Sequence, residues 1–520
     1  MALNRPYLYI AVFTAGMTSL AVELSASRLL GNVFGTSNLV WACIIGLILI
    51  YLTAGYYLGG RIADRYPSTF TFYRLMVWAG FTVGLIPMVA RPVLRLSADA
   101  FDNLQMAVLF GSFAAVVILF IIPVTLLGTI SPFALKLALR DPRQTGRISG
   151  RISAISTLGS FIGTFLPVLV LTPTIGTYRT FLVFSGILVL VAFGGIVLSS
   201  GWRKLFPYLW MPVVLVLLAI FGVNGSDKNT PGLVYETESA YNYIQVLDIN
   251  GTRYLRLNDG QGVHSVYNPA QLNFYGPWEQ VLVGPFFNAP PYDLNKVQSM
   301  AIVGLAAGTT ARAATAVFGP IPIDGFEIDP TIIAVGQRFF DMQEPNLTPI
   351  AQDGRWGLEH TSHRYQVISI DAYRPPYIPP HLTTREFFTI VYQHLTEDGV
   401  MVINVGRDEN DRRLINAMSS TIASVFPSIY VMDVPNSFNS VIFATVQPTQ
   451  VSNLYQNLAA LTANKDTPAL LLETMQTTVA SLQPTPPKTA IFTDDLAPIE
   501  WITNRMILNF VFSGKVEELK

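Results

Sequence analysis

The sequence predicts a multi-pass α-helical membrane bundle followed by a doubly wound α/β domain, with a β-hairpin module between them. Three observations predict it. Only 13% of the 520 residues are charged and 51% are hydrophobic, with mean hydropathy +0.42, whereas a soluble protein carries about 25% charged residues. Long apolar runs crowd the first 223 residues. From residue 299 onward, short apolar strands alternate with amphipathic helices, the pattern of βαβ units.

Seven runs, near 7–30, 38–60, 70–92, 104–135, 147–172, 177–199 and 205–223, reach the ~20 residues that a hydrocarbon core demands. The fourth is overlong and interrupted by Pro123 and Pro132, so a bend or a start outside the bilayer is expected. The first run carries Glu23 and lacks a small-residue cleavage site, which argues against a cleavable signal. Arg5, the 61–74 loop, the 136–151 segment and the Arg203-Lys204 pair hold eleven basic residues on one side, against four on the other (Arg28, Arg91, Arg95, Arg179). The positive-inside rule therefore puts the N-terminus in the cytoplasm of a cell membrane, and seven crossings put everything after residue 224 outside.

Gly59-Gly60-Arg61-Ile62-Ala63-Asp64-Arg65 lies between the second and third runs and resembles the cytoplasmic loop signature of major-facilitator bundles, where small residues let helices approach and the charges pair. Transport by the bundle is disfavoured because the second repeat of such transporters is missing. Glu23 is the one carboxylate well inside an apolar run, with Ser27 a turn away and Arg28 close by. An intramembrane carboxylate is a functional candidate, but this position favours a packing role through an ion pair or a serine bond.

Residues 233–267 alternate polar and apolar around Asn250-Gly251, a strand–turn–strand signal. Strands are expected near 299–304, 322–328, 365–371, 399–405, 429–433 and 440–446, and helices near 309–317, 330–340, 383–395 and 409–424. The Pro-rich stretch Gln483–Pro487 reads as a linker. Domain boundaries follow at 1–223, 224–298, 299–450 and 451–520.

The first of these βαβ units carries chemistry. An apolar strand runs into Gly304 and Gly308, a helix follows, and the next strand ends in Glu327-Ile328-Asp329. Such a unit binds a nucleoside, its acid accepting the two ribose hydroxyls, and the lack of a basic residue there disfavours a 2′-phosphate. Asp353-Gly354 reads as a simple Asp-Gly turn. Asp371 closes another strand, and residues 373–376 separate it from the next helix, which disfavours a mere cap. A net charge of -1 argues against a nucleic-acid partner. The single Cys43 and five scattered histidines give no metal cluster, and His360 with His363 reads as a solvated loop.

The succession Leu257-Asn258-Asp259-Gly260, Gly304 to Gly308-Thr309-Thr310, Glu327-Ile328-Asp329, Asp353-Gly354-Arg355, Asp371-Ala372-Tyr373, His381 to Glu386-Phe387 and Asp494-Asp495-Leu496-Ala497-Pro498 resembles the spermidine synthase family. More narrowly, it resembles a membrane-fused bacterial branch with an N-terminal transporter-like bundle. The resemblance covers almost the whole chain and implies a Rossmann-like sheet of the S-adenosylmethionine type. It further implies transfer of an aminopropyl group from decarboxylated S-adenosylmethionine to an amine or polyamine, without a metal, by a homodimer at the lipid bilayer. Gly304, Gly308, Glu327, Asp353 and Gly354 would hold the co-substrate, Glu327 on the ribose and Asp353 on the adenine amino group. Asp371 would be the catalytic base.

The chain departs from the family at the amine end. The Gly-rich turn reads Leu305-Ala306-Ala307 without its aspartate, and Arg374 stands where a second aspartate is usual. Trp278-Glu279-Gln280 replaces the tyrosine–x–glutamate gate, and His264 aligns with a glutamine before it. Those four residues, with Tyr373, Asp494 and Asp495, are the candidate amine contacts. Asp494 and Asp495 serve equally well as a helix cap with solvated charge. Two further classes stay open: a non-catalytic nucleoside sensor tied to the bundle, and a methyltransferase using intact S-adenosylmethionine.

Overall fold

The computed structural model describes residues 5–34, 38–101, 107–139, 141–222, 230–258, 262–373, 377–407 and 411–512. Asp259-Gly260 and Arg374 lie outside the described residues. The chain divides into two units, Met1–Asn229 with Glu238–Asn242, and Thr230–Thr237 with Tyr243–Lys520.

The first unit is helical: α1 (Arg5–Phe34), α2 (Asn38–Arg65), α3 (Thr69–Phe101), α4 (Ala107–Ala138), α5 (Thr145–Leu166), α6 (Thr172–Ile175), α7 (Thr177–Ser200) and α8 (Trp210–Leu217). A π-turn at Pro167–Leu171 joins α5 to α6. Among the described residues, six helices are long and apolar enough to cross a membrane, or seven when the pair Trp202–Tyr208 and Trp210–Phe221, bent by 43°, counts as one span. Pro123 and Pro132 sit inside one continuous α4.

Apolar helices in lipid gain little from hydrophobicity against each other, so close packing and hydrogen bonds must hold them. Two helix pairs do this with small residues. Added Cβ atoms on Gly159 and Gly163 would stand 2.0 Å from the Phe13 and Met17 carbonyl oxygens, and Ser160 donates to the Gly16 carbonyl at 3.1 Å. On α2, a Cβ on Gly59 would stand 2.6 Å from Thr129 Cα of α4. Asp64, in the Gly59–Arg65 signature, pairs with Lys136 at 2.6 Å. Both are exposed, so the pair adds little energy and marks register.

Helices α1 and α7 run antiparallel, since the Tyr7 hydroxyl donates to the Val191 carbonyl at 2.8 Å while Met17 and Ala21 pack on Phe184. Arg28 and Thr177 thus share one end of the bundle. Residues 238–242 belong to this unit, and Glu238 accepts from the Thr177 hydroxyl at 2.6 Å and lies 3.5 Å from Arg28 Nε. The chain leaves α7 at the opposite end, and the bent pair lies on its way back.

The second unit holds two sheets. The antiparallel one has the order β1 (Leu233–Glu238), β2 (Tyr243–Ile249), β3 (Thr252–Leu257), β4 (Val263–Tyr267). Asn250 and Gly251, at φ 54° and 80°, turn β2 into β3, as type I′ geometry requires. The larger sheet has seven strands in the order β10-β11-β9-β8-β5-β6-β7: β5 (Met300–Val303), β6 (Ile323–Glu327), β7 (Leu347–Ala351), β8 (Tyr365–Ile370), β9 (Leu395–Gly406), β10 (Ser428–Asp433) and β11 (Asn439–Thr445). Strands β5 to β9 are parallel, and the β10–β11 hairpin closes one edge.

Among the described residues, nine helices accompany the sheets: α9 (Pro277–Gln280), α10 (Thr309–Phe318), α11 (Pro330–Phe339), α12 (Gly354–His360), α13 (Arg385–Gln393), α14 (Arg413–Ala423), α15 (Val451–Ala463), α16 (Ala469–Ser481) and α17 (Ile499–Phe512). Alternation of period two along the strands feeds two cores. Ala301, Val303, Ile368 and Ile370 face α12 to α14 and α17. Met300, Ile302, Val367 and Val402 face α10, α15 and α16. The antiparallel sheet buries Ile244, Val246, Leu255 and Leu257 on α11.

Strand β7 and helix α12 were not among the expected elements. Pro349 interrupts β7, which is tolerable because that strand is at the sheet edge.

Gly163→Leu drives a side chain into the α1 backbone and is expected to cost the bundle about 3 kcal/mol. The check is the thermal unfolding midpoint of the full chain in detergent, where Gly46→Leu, at a glycine with open space around it, is the control.

Candidate active site at the carboxyl edge of the parallel sheet

Three neighbouring strands, β8, β5 and β6, end in Asp371, Gly304 and Glu327. The Asp371 N–H donates to the Val303 carbonyl at 2.9 Å, and the Gly304 N–H to the Phe326 carbonyl at 2.9 Å. Gly304 adopts φ +90°, and a Cβ there would stand 2.5 Å from the Asp371 carbonyl oxygen. Only glycine permits both that dihedral and that approach. With strands ~4.8 Å apart, the outer two of the three lie about 10 Å from each other.

Glu327 is 8% exposed. Its Oε2 accepts from the Ala306 N–H at 3.0 Å and its Oε1 from the Asp329 N–H at 3.1 Å, so both oxygens are fixed in place. Burial pushes its pKa up to about 7, against the lowering effect of those backbone bonds. Asp329 is spent on α11, accepting from the Thr331 N–H at 3.0 Å. Ala306 carries φ +49°, a left-handed conformation that costs an L-residue roughly 1–2 kcal/mol. The Glu327 carboxylate on its N–H holds it there. The next N–H, of Ala307, donates to the Ser265 hydroxyl at 2.9 Å, and Thr309 bridges Val266 with two 2.9 Å bonds. The antiparallel sheet thereby clamps the turn. Gly308, at φ +85°, starts α10 under Met342.

Asp371 retains partial solvent access, and burial raises its pKa to about 6, with a hydrogen bond from Asn404 opposing the rise. That bond runs from Asn404 Nδ2 to Oδ1 at 2.9 Å. Asn404 Oδ1 has no hydrogen-bond partner among the described residues. The Tyr373 hydroxyl donates to the Asn404 backbone carbonyl at 3.2 Å and accepts from the Gly406 N–H at 2.6 Å. Asn404 was not among the sequence candidates; its signal is a lone amide in the apolar run of β9.

Asp353 caps α12, with Oδ1 accepting from the Trp356 N–H at 3.0 Å, and its Oδ2 lies 2.9 Å from His381 Nε2. The bond from His381 holds its pKa below the usual carboxylate range. Gly354 packs against β5, where a Cβ would stand 2.4 Å from Val303 Cγ1. Asp494 forms a two-pronged pair with Arg355, at 2.7 and 2.6 Å, and accepts from the Thr384 hydroxyl at 2.7 Å. The Arg355 bonds lower its pKa to about 2. It clasps the C-terminal segment to α12 and α13, while Asp495 is exposed.

The remaining amine candidates are scattered among structural roles. Glu279 is fully buried, and its oxygens accept from the Phe274 N–H at 2.8 Å and the Gly276 N–H at 3.1 Å, capping α9. Gln280 accepts from the Thr478 hydroxyl of α16 at 2.9 Å. These bonds draw Glu279 and Gln280 into the protein's own packing. The Trp278 ring lies against Gly276, whose added Cβ would stand 2.4 Å from it. His264, on β4, keeps a buried Nε2 without a partner among the described residues, and burial lowers its pKa to about 4. No group of three or more metal-ligating side chains occurs among the described residues.

Residues 301–456 match the family model described as a spermine/spermidine synthase domain. The chain is 33% identical over 286 residues to a probable polyamine aminopropyl transferase of Bifidobacterium longum, covering 52% of this chain and 61% of that protein. It is 29% identical over 268 residues to a polyamine aminopropyltransferase of Vibrio vulnificus, covering 48% and 85%. Among solved structures, the spermidine synthase from Thermotoga maritima aligns with a TM-score of 0.39 and 19% identity, over 48% of this chain and 84% of that one.

A ligand that presents two adjacent hydroxyls to Glu327 needs the carboxylate ionised. Affinity for methylthioadenosine is therefore expected to fall as pH drops below about 7, about tenfold per unit once the acid is protonated. Glu327→Gln should weaken binding about 10- to 100-fold and flatten that pH dependence, both readable by calorimetry on the full chain.

Proposed function

We propose that the second unit is an aminopropyltransferase that takes decarboxylated S-adenosylmethionine as co-substrate and a small amine as acceptor. The observation that carries this reading is the row Asp371–Gly304–Glu327 across three adjacent strand ends, within the stretch that matches the synthase domain. In this reading Glu327 accepts the ribose hydroxyls, and Gly304 and Gly308, both at positive φ, give the turn beside the nucleoside its shape. Asp353 and Gly354 flank the base, the Asp353 carboxylate shared between the α12 cap and His381. Asp371 faces the amine.

The chemistry is a displacement at carbon. The amine nitrogen attacks the carbon next to the sulfonium, a C–N bond forms as the C–S bond breaks, and the electron pair goes to sulfur as a neutral thioether. The proton released from nitrogen goes to Asp371. A carboxylate with pKa about 6 is ionised at neutral pH yet basic enough to hold that proton, and alignment of nucleophile and leaving group supplies the rest. Asn404 Nδ2 orients the Asp371 carboxylate, and Tyr373 stiffens the strand end that carries Asn404. His264, Trp278 and Asp495 remain proposed contacts; the bonds made by Glu279, Gln280 and Asp494 favour structural roles.

We also propose that the chain spans a bacterial plasma membrane seven times, with its N-terminus in the cytoplasm and the catalytic unit outside. The charge asymmetry of the loops supports it, as does the return of residues 238–242 to the Arg28 end of the bundle. A homodimer is proposed from the family resemblance alone.

Asp371→Asn is expected to lower turnover by about 10²- to 10⁴-fold while methylthioadenosine still binds, and wild-type turnover should rise with pH through about 6. Turnover unchanged by that substitution would remove the transferase reading. Offering intact S-adenosylmethionine alongside the decarboxylated form identifies the group transferred. For topology, Lys465→Cys in a Cys43→Ala chain should react with a membrane-impermeant maleimide in intact cells; labelling only after lysis would place the unit inside.

A further inference from the structure

The first unit contains a feature that the transferase reading does not use. A cavity of about 80 Å³ opens among α1, α2, α4 and α5, and its lining includes Gly16, Ser19, Tyr56, Ser131, Ser156 and Ser160. Apolar voids in proteins are lined by aliphatic groups and stay dry, whereas this one is lined by four serines from three helices and by Tyr56. At ~10–15 Å³ per water-sized probe it has room for about five to eight heavy atoms. It lies between the two close-packed helix pairs, α1 with α5 and α2 with α4, whose glycine contacts fix its walls.

Glu23 continues the stripe of α1 that faces this cavity. Val12, Ala15, Gly16, Ser19 and Leu20 line it, and at 100° per residue Glu23 falls on the centre line of those five, one turn beyond Ser19. The neighbouring cation, Arg28, is engaged with Glu238. No ion-pair partner for Glu23 occurs among the described residues, although it is mostly enclosed by protein. A carboxylate held in an apolar helix without a counter-ion is costly and calls for a cationic partner. One carboxylate with hydroxyls and a tyrosine ring is a poor shell for a divalent metal, which takes six or more oxygens. It suits an ammonium group, whose N–H donors meet hydroxyl and carboxylate oxygens and whose charge favours an aromatic face.

We propose that this cavity binds a small organic ammonium ion of the primary-amine class, with Glu23 as its counter-charge and Ser19, Ser131 and Ser156 as hydrogen-bond acceptors. The cation site stands on the bundle alone. Only the choice of a linear diamine as probe rests on the transferase reading.

The test uses the full chain in proteoliposomes with Cys43→Ala and Leu52→Cys, at a lining position given no binding role, read as the rate of modification by a small methanethiosulfonate. At ten times its half-protecting concentration, 1,4-diaminobutane should slow modification about tenfold. Glu23→Gln should raise the half-protecting concentration at least about tenfold, whereas Glu23→Asp, which keeps the charge, should retain protection and so exclude misfolding. Protection should persist in an Asp371→Asn chain, so that loss of the transferase reading leaves this result standing. No protection, equal protection by neutral 1,4-butanediol, or protection unaltered by Glu23→Gln would overturn the proposal.

Discussion

The second unit depends on how closely two parallel strands approach at their carboxyl ends. Gly304 follows β5 and meets the backbone of Asp371, which follows β8, with no room for even a methyl group between them. That contact sets where the Asp371 carboxylate emerges, and the hydrogen bond from Gly304 to Phe326 sets where Glu327 emerges on the other side. Strand spacing then decides the separation of the two acids, a length that no side-chain rearrangement can adjust by much. The rest of the edge serves this frame. Ser265 and Thr309 tie the turn to the antiparallel sheet, and Glu327 holds Ala306 in a conformation it would not choose alone.

The same burial has different consequences for the two acids. Glu327, nearly sealed, is raised to about 7, and Asp371, partly open, to about 6. Neither has a cation among the causes of its shift. An uncompensated buried carboxylate costs stability that a ligand can recover by donating hydrogen bonds or carrying positive charge. Asp494, by contrast, is held low by Arg355 and Thr384, whereas burial raises Glu279 too, against the N–H bonds of its own turn. A cation thus marks Asp494 as an acid that builds the fold, while burial alone does not set Glu279 apart from Glu327 and Asp371.

This separation also explains what could be read in advance. Apolar strands alternating with helices announced the parallel sheet, because β5, β8 and β9 are buried on both faces and read as runs of Val, Ile and Met. Gly304 and Glu327 were legible because they punctuate such runs. Strand β7 escaped because an edge strand need not be uniformly apolar and tolerates Pro349. Asn404 escaped because its partner, Asp371, is 33 residues away and only strand pairing brings them together. Glu279 and Asp494 looked like substrate acids for a related reason: a capping carboxylate and a binding carboxylate are the same residue type until the donors around them are known. Glu23 could be recognised as an intramembrane acid, but the cavity beside it needs four helices.

At the amine end, charge sets a demand on the pocket. A linear polyamine carries a positive group at each end, and a pocket that takes both needs acids at both ends. Asp371 is held by the Asn404 side-chain amide, a neutral group. Glu279 and Asp494, the nearest substitutes the sequence offered, are bound elsewhere. One carboxylate can orient and deprotonate the attacking nitrogen, but it cannot also hold a distant ammonium group in register. A second ammonium group on an acceptor would therefore have to be held by an acid other than Asp371.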